Sequence, residues 1–66
     1  MVEKVLDIVG TSPESFAKAV DDAVSATAQT VRNIRWVRVK ELDCMVKNDR
    51  ISEYHALVRI YFDVER

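Results

Sequence analysis

The stretch Asn33–Cys44, NIRWVRVKELDC, carries the pattern on which the fold assignment depends. Val37 and Val39 alternate with polar residues, which is typical of a strand with one buried face. Trp36 falls on the opposite side of this alternation, between Arg35 and Val37. The only tryptophan of the chain is therefore expected on a face that would otherwise meet water, and that face is the first candidate for a function.

The length of 66 residues leaves room for one domain, residues 1–66. So short a chain buries a small share of its surface and often needs a disulfide, a metal or a partner subunit. Its single cysteine, Cys44, excludes an intrachain disulfide, and no cysteine–histidine cluster indicates a zinc site. We therefore expect oligomerisation to add to the stability of so small a domain.

The formal net charge of −1 is not typical of proteins that bind nucleic acids or membrane surfaces. The N-terminal stretch is too charged for a signal peptide, and no apolar run approaches membrane-spanning length. We expect a cytoplasmic protein with neither nucleic acid nor membrane as a partner. A stripe of four basic residues leaves nucleic-acid binding as an alternative, because small β-rich domains stack bases on aromatic side chains. These residues are instead expected to pair with acidic residues of a neighbouring subunit: Arg35, Arg38, Lys40 and Arg59.

The hydrophobic pattern predicts the element order β-α-β-β. The expected elements are a strand over 2–9, a helix from Pro13 to about Arg32, and strands over 34–46 and 51–64. Thr11 or Ser12 would cap the helix, and Pro13 would lie in its first turn. One helical stripe would face the sheet, formed by Phe16, Val20, Ala23, Val24, Thr27 and Val31.

The polar residues 47–50 predict a four-residue hairpin loop between the last two strands. This register pairs Val39 with Val58 and Trp36 with Tyr61. The helix side of the hairpin would carry Val37, Val39, Val58, Ile60 and Phe62. The outer face, which points away from the helix, would carry Trp36, Arg38, Lys40, His55, Leu57, Arg59 and Tyr61. An outer face this rich in apolar and aromatic groups usually marks a partner surface or a ligand site.

The string Asp7–Ser15, DIVGTSPES, followed by a helix and by Thr30–Trp36, TVRNIRW, resembles the dodecins, a family of small flavin-binding proteins. The resemblance covers essentially the whole chain. It implies an α+β fold, in which a three-stranded antiparallel sheet wraps partly around one helix, and a shell of twelve identical subunits. It also implies paired flavins at subunit interfaces, with the isoalloxazine ring stacked on Trp36, and a role in storage and not in catalysis.

One departure from the dodecin pattern concerns the ring edge. Dodecins hydrogen-bond this edge with a glutamine on the last strand, and His55 stands at the matching position. A glutamine amide offers a donor and an acceptor side by side, whereas a neutral imidazole offers them on opposite sides of its ring. The resemblance therefore implies weaker flavin binding than in typical members.

Further departures surround the tryptophan. A basic residue and a glycine that can contact the phosphate of flavin mononucleotide (FMN) are replaced by Asp43 and Cys44. A carboxylate there would repel a phosphate, so riboflavin or a related flavin is expected in preference to FMN. Arg38 replaces a residue that is commonly acidic. Arg38, Lys40 and Asp43 are expected to flank the pocket built on Trp36 and His55.

A second interpretation remains open. Arg38, followed by Glu41 and Asp43, resembles another dodecin branch, of which one kind binds calcium. Carboxylates suit calcium, but two are too few for a site within one subunit, and no metal-binding residues are assigned. The alternative is an oligomeric shell of dodecin fold without flavin, either structural or binding a divalent cation. Trp36 would then fill an interface. Nothing in the sequence arranges a catalytic group, and no enzymatic activity is expected.

Overall fold

The predicted element order is confirmed by a computed structural model, which describes residues 2–64. Met1, Glu65 and Arg66, which belong to the predicted domain 1–66, lie outside the described residues. The elements are β1 (Val2–Ser12), α1 (Phe16–Ala28), β2 (Ile34–Lys47) and β3 (Arg50–Val64). The three strands form one antiparallel sheet in the order β1-β3-β2, so the last strand lies in the centre. Within residues 2–64, no helix has the length and apolar character to cross a membrane.

The junction between β1 and α1 differs from the prediction. β1 continues to Ser12, and α1 begins only at Phe16, so Pro13 precedes the helix. The N-cap is Ser15, whose Oγ accepts a hydrogen bond from the backbone N–H of Lys18 at 3.0 Å. Ser12 was predicted as a possible cap, but its Oγ instead stabilises the turn before the helix, by accepting the backbone N–H of Glu14 at 3.0 Å.

The helix also ends earlier and buries a different line of residues than predicted. It ends at Ala28 and not near Arg32. Its buried line is Ala19, Ala23 and Thr27, whereas the predicted stripe omitted Ala19 and gave equal weight to larger side chains. Val20 and Val24 flank the line and are partly buried. Small residues form the centre of the contact because the helix lies very close to the sheet.

Gly10 explains this close approach. A Cβ atom at this position would lie 1.9 Å from the carbonyl oxygen of Ala19 and 2.9 Å from the Cβ of Ala23. Only a hydrogen fits there. The single glycine of the chain thus lies inside β1, beneath α1, and does not mark the end of the strand.

The core lies between α1 and the two strands on which it packs, β1 and β3. Its fully buried members are Ala19, Ala23, Ala56, Val58 and Ile60. Val37 packs against them as predicted, and Phe62 is half-buried. Val39 pairs with Val58 as predicted but is 46% exposed, because it lies on the strand farthest from the helix.

The β2–β3 hairpin has a two-residue loop, where four residues were predicted. Lys47 pairs with Arg50, which leaves Asn48 and Asp49 as the loop. Their φ angles are 54° and 63°. Both residue types tolerate this left-handed conformation, and positive φ at both positions matches the twist of the flanking strands.

The register of the hairpin is partly as predicted. Trp36 pairs with Tyr61 and Val39 with Val58, but the pairing shifts by one residue between Val39 and Glu41 and shifts back after Met45. Lys40 is the extra residue of a β-bulge. Side chains alternate between the two faces of a strand. The shift therefore moves residues 41–45 to the face opposite to the one predicted without a bulge.

Candidate functional site

Trp36 and Tyr61 form a parallel aromatic stack on the outer face. Their ring centroids are 3.8 Å apart, and the ring planes are inclined by 3°. Trp36 is nonetheless 44% exposed. One face of the indole is thus covered by a neighbour within the chain, and a flat aromatic surface remains accessible. The predicted register had already placed these residues opposite each other, although Tyr61 was interpreted as packing at a subunit interface.

Arg38 lies above the same indole. Its guanidinium carbon is 5.3 Å from the ring centroid of Trp36, which is within the range of a cation–π interaction. Trp36 and Arg38 are two positions apart on β2, and both pair with odd-numbered residues of β3. Two of the five predicted site residues are therefore in contact.

Arg59 and Asp7 form an ion pair next to this group. The Nε and Nη2 atoms of Arg59 donate to the two carboxylate oxygens of Asp7 at 2.8 and 3.1 Å. The hydrogen bond from Arg59, together with the charges of Arg59 and Lys40, holds the pKa of Asp7 below its ordinary value. Asp7 was not among the predicted site residues, because nothing in the sequence indicated that β1 lies beside β3.

His55 and Asp43 form the second group on the outer face. They pair directly across β2 and β3. The Nε2 of His55 lies 2.7 Å from a carboxylate oxygen of Glu53, and His55 is half-buried. Glu41 pairs with Leu57 and therefore shares the same face. The bulge at Lys40 produces this arrangement, since the uninterrupted register would have turned both Glu41 and Asp43 towards the helix side.

The two groups are well separated within one chain. Tyr61, which is stacked on Trp36, is six positions from His55 along β3. At about 3.3 Å per residue, the separation is roughly 20 Å. The structure thus brings Trp36 together with Arg38 and His55 together with Asp43, and Lys40 lies between the two groups. A single ring could not contact both Trp36 and His55 of the same chain.

Two of the four basic residues that were expected to pair with a neighbouring subunit form ion pairs within the chain. Arg59 pairs with Asp7, and the Nη1 of Arg35 lies 2.6 Å from a carboxylate oxygen of Asp63. Glu53, the partner of His55, was also missed. Its position two residues before His55 on the same strand face was the available signal.

Neither of two surface depressions coincides with these groups. One, of about 280 Å³, lies near the C-terminal end of α1 and is lined in part by Lys4, Asn33 and Phe62. The other, of about 420 Å³, lies at the β1–α1 junction and is lined in part by Pro13 and Asp22. The surface around Trp36 is an open face, so a ligand bound there would need a second molecule to enclose it.

The carboxylates do not form a metal site within the described chain. Among residues 2–64, no group of three or more His, Cys, Asp or Glu side chains is placed to hold a metal ion. Glu41 and Asp43 share a face, as predicted for carboxylates two positions apart.

Comparisons with known proteins identify the family. The family model described as Dodecin matches residues 2–65. The chain is 30% identical to a dodecin of Thermus thermophilus, over 97% of this chain and 93% of the relative. It is 38% identical to a protein named calcium dodecin of Mycobacterium tuberculosis, over 92% of this chain and 86% of the relative.

Solved structures agree with this assignment. The dodecin of Streptomyces davaonensis superposes with a TM-score of 0.95 at 28% identity, covering 98% of this chain and 96% of that chain. The calcium dodecin of Mycobacterium tuberculosis, described as a calcium-chelating antigen with a novel calcium-binding site, superposes with a TM-score of 0.86 at 36% identity, covering 98% and 93%. A family model matching nearly the whole chain and relatives of similar length and fold lead to one conclusion: the chain belongs to the dodecin family.

Proposed function

We propose that this protein is a cytoplasmic, homododecameric flavin-binding protein that sequesters riboflavin-type ligands. The observation that carries the proposal is the half-exposed indole of Trp36, held flat against Tyr61 on an otherwise open face. An isoalloxazine ring on the free side of the indole would extend an existing aromatic stack. Parallel offset stacking of this kind is favourable for large aromatic rings and requires little rearrangement of the protein.

A site formed between two subunits accommodates the distance between the two groups of residues. Trp36 of one subunit would supply the stacking surface, and His55 of another would approach the ring edge. The separation of roughly 20 Å within one chain makes this division necessary. In this arrangement the Nε2 of His55 would exchange its contact with Glu53, at 2.7 Å, for a hydrogen bond to the ligand, or the Nδ1 would form that bond while the contact persists.

The charges near His55 favour a flavin without a phosphate. Asp43 lies directly across from His55, and Glu53 contacts it. A phosphate group placed near this acidic end of the face would be repelled. Riboflavin is therefore the proposed ligand type in preference to FMN. Arg38, Lys40 and Asp43 would flank the pocket.

A second candidate function has its own support. The relative with the higher identity, 38%, is named calcium dodecin. Glu41 and Asp43 supply carboxylates on one face, and the bulge at Lys40 places them there. A calcium ion would need further oxygen ligands from a neighbouring subunit, because calcium takes six to eight. In this case the protein would be an oligomeric shell without flavin, in which Trp36 fills an interface.

Riboflavin titration distinguishes the two candidates. We expect saturable quenching of flavin fluorescence when purified protein is added, because a flavin stacked on Trp36 loses its excited state to the indole. Trp36→Ala should abolish the quenching. Trp36→Phe should retain part of the binding, measured by equilibrium dialysis, because phenylalanine keeps a smaller stacking surface, but it should lose the quenching by the indole. Circular dichroism of each variant provides the control for folding.

The opposite result would favour the second candidate. If micromolar protein leaves riboflavin fluorescence unchanged, Trp36 does not stack on a flavin. Calorimetric titration with calcium, repeated with Glu41→Gln and Asp43→Asn, would then test the carboxylates. Heat of binding that disappears in both variants would support a cation site.

A further inference from the structure

Arg38 carries a charge that its surroundings do not neutralise. Within residues 2–64, ion pairs engage Arg35 and Arg59, but no carboxylate lies within ion-pair distance of Arg38. Its guanidinium group instead lies 5.3 Å from the centroid of the Trp36 indole. A cation above an aromatic ring is stabilised by the electron density of that ring, but it keeps its net charge.

The neighbour of Arg38 across the sheet is also basic. Arg38 pairs directly with Arg59, and like charges opposite each other on a sheet face are destabilising. Asp7 neutralises the charge of only one of these two arginines, because both of its carboxylate oxygens accept hydrogen bonds from Arg59. The excess positive charge therefore remains at Arg38, beside the aromatic stack.

The outer face is consequently divided by charge. Lys40, two positions after Arg38, adds a second cation, whose charge acts on Asp7. Asp43 is seven positions from Trp36 along β2, or roughly 20 Å, and Glu53 lies with it at the His55 end of the face. Within the chain that supplies Trp36, a charge near the stacked ring would be close to Arg38 and roughly 20 Å from Asp43. The Asp43 that accompanies the approaching His55 belongs to the other subunit of the proposed site.

We propose that Arg38 is a specificity-determining residue, which selects planar ligands carrying a negative charge on the ring or on a group attached to it through a single methylene. The inference rests on the proposed flavin site and deepens it. Because Tyr61 covers one face of the indole, a ligand ring must use the remaining surface, and the guanidinium carbon of Arg38 lies only 5.3 Å from the centroid of that indole. An anion held directly at the ring edge would form a charge-assisted contact with the guanidinium group.

A matched pair of flavins tests this selection. Lumiflavin carries a neutral methyl group at N10, and flavin-10-acetate carries a carboxymethyl group there. We expect the protein to bind flavin-10-acetate about three- to tenfold more tightly than lumiflavin at low ionic strength. The preference should shrink as salt is added, because a largely exposed ion contact is screened.

Arg38→Gln should remove the preference, while Arg38→Lys should retain part of it because the charge is kept. Arg50→Gln is the matched control, since it removes one positive charge at the hairpin end, remote from Trp36. The salt series on the unmodified protein gives an independent measurement if a variant fails to fold.

Two failures can be told apart. If lumiflavin is quenched through Trp36 but the affinity ratio of the two flavins is near one, or survives Arg38→Gln, the role of Arg38 is wrong and the flavin site stands. If lumiflavin is not quenched, or Trp36→Ala binds it equally well, the proposed flavin site is wrong, and the proposed selection by Arg38 is wrong as well.

Discussion

Trp36 and His55 are the two central residues of the proposed flavin site, and their surroundings differ. Trp36 already lies in a parallel stack and presents an accessible surface, so a ligand ring can add to it without displacing anything within residues 2–64 except the contact with Arg38. His55 has a ring nitrogen 2.7 Å from Glu53. A surface for stacking is thus already present in the chain, whereas one of the two ring nitrogens of His55 is already engaged by Glu53.

His55→Gln should tighten riboflavin binding by about threefold to tenfold. A glutamine amide presents a donor and an acceptor side by side and can form a paired contact, and one further hydrogen bond contributes about 0.5–1.5 kcal/mol. The measurement is a fluorescence titration of the variant and the parent. Glu53→Ala is the comparison, since it frees His55 without supplying the second hydrogen bond and should change the affinity less. Equal affinities for His55→Gln and the parent would place His55 away from the ring edge.

At the scale of secondary structure, the pair Asp7–Arg59 joins β1 to the central strand on the outer face. These residues are directly opposite in the register, and Arg59 donates two hydrogen bonds to the carboxylate. The same interaction lowers the pKa of Asp7 in the folded protein. An ordinary carboxyl group in the unfolded chain has a pKa of about 3.9. The ionised form is therefore favoured more strongly in the folded state.

The pH dependence follows from this difference. Because the pKa of Asp7 is lowered by folding, its stabilisation is complete above the unfolded value and is lost as the pH falls below about 4 towards the folded value. Urea unfolding between pH 2.5 and 6 should show Asp7→Asn less stable than the parent above pH 4, with the difference shrinking at lower pH. Asp21→Asn, which alters an exposed helix carboxylate without an ion pair within residues 2–64, should lack this pattern. A pH-independent difference for Asp7→Asn would contradict the assignment.

At the scale of the whole molecule, the described chain is elongated, with dimensions of 50 × 19 × 13 Å. The helix covers only part of the sheet, and large apolar side chains remain exposed on β2 and at the start of β3: Val39, Leu42, Met45, Val46 and Ile51. Exposed apolar surface of this kind in a small protein usually becomes covered by association. This distribution supports association with further subunits.

Leu42→Asp should disrupt the assembly. Leu42 is 50% exposed and pairs with the buried Ala56, so a charge there would be buried unpaired if subunits cover this surface. Native mass spectrometry should find the parent at twelve times the 7.6 kDa mass of the chain and the variant at lower mass. Asn48→Asp adds a charge at the loop and should leave the assembly intact. An unchanged mass for Leu42→Asp would show that this surface is not an interface.

The whole-molecule comparisons also show why fold alone does not decide the ligand. The backbone is more similar to the Streptomyces davaonensis dodecin, with a TM-score of 0.95 against 0.86 for the calcium dodecin. The sequence identity has the opposite order: it is 28% with the Streptomyces davaonensis dodecin and 36% with the calcium dodecin. The ligand must therefore be argued from the side chains on the outer face, because one fold can support different sites.

The sequence by itself determined the element order, the exposed position of Trp36 and its pairing with Tyr61, because these follow from alternation along neighbouring strands. It did not determine the bulge at Lys40, which depends on how two twisted strands fit together and which moves Glu41 and Asp43 to the outer face. The pairing of Asp7 with Arg59 was also decided only by the tertiary structure. These residues are 52 positions apart, and their contact requires β1 to lie beside β3, an arrangement that no local pattern specifies.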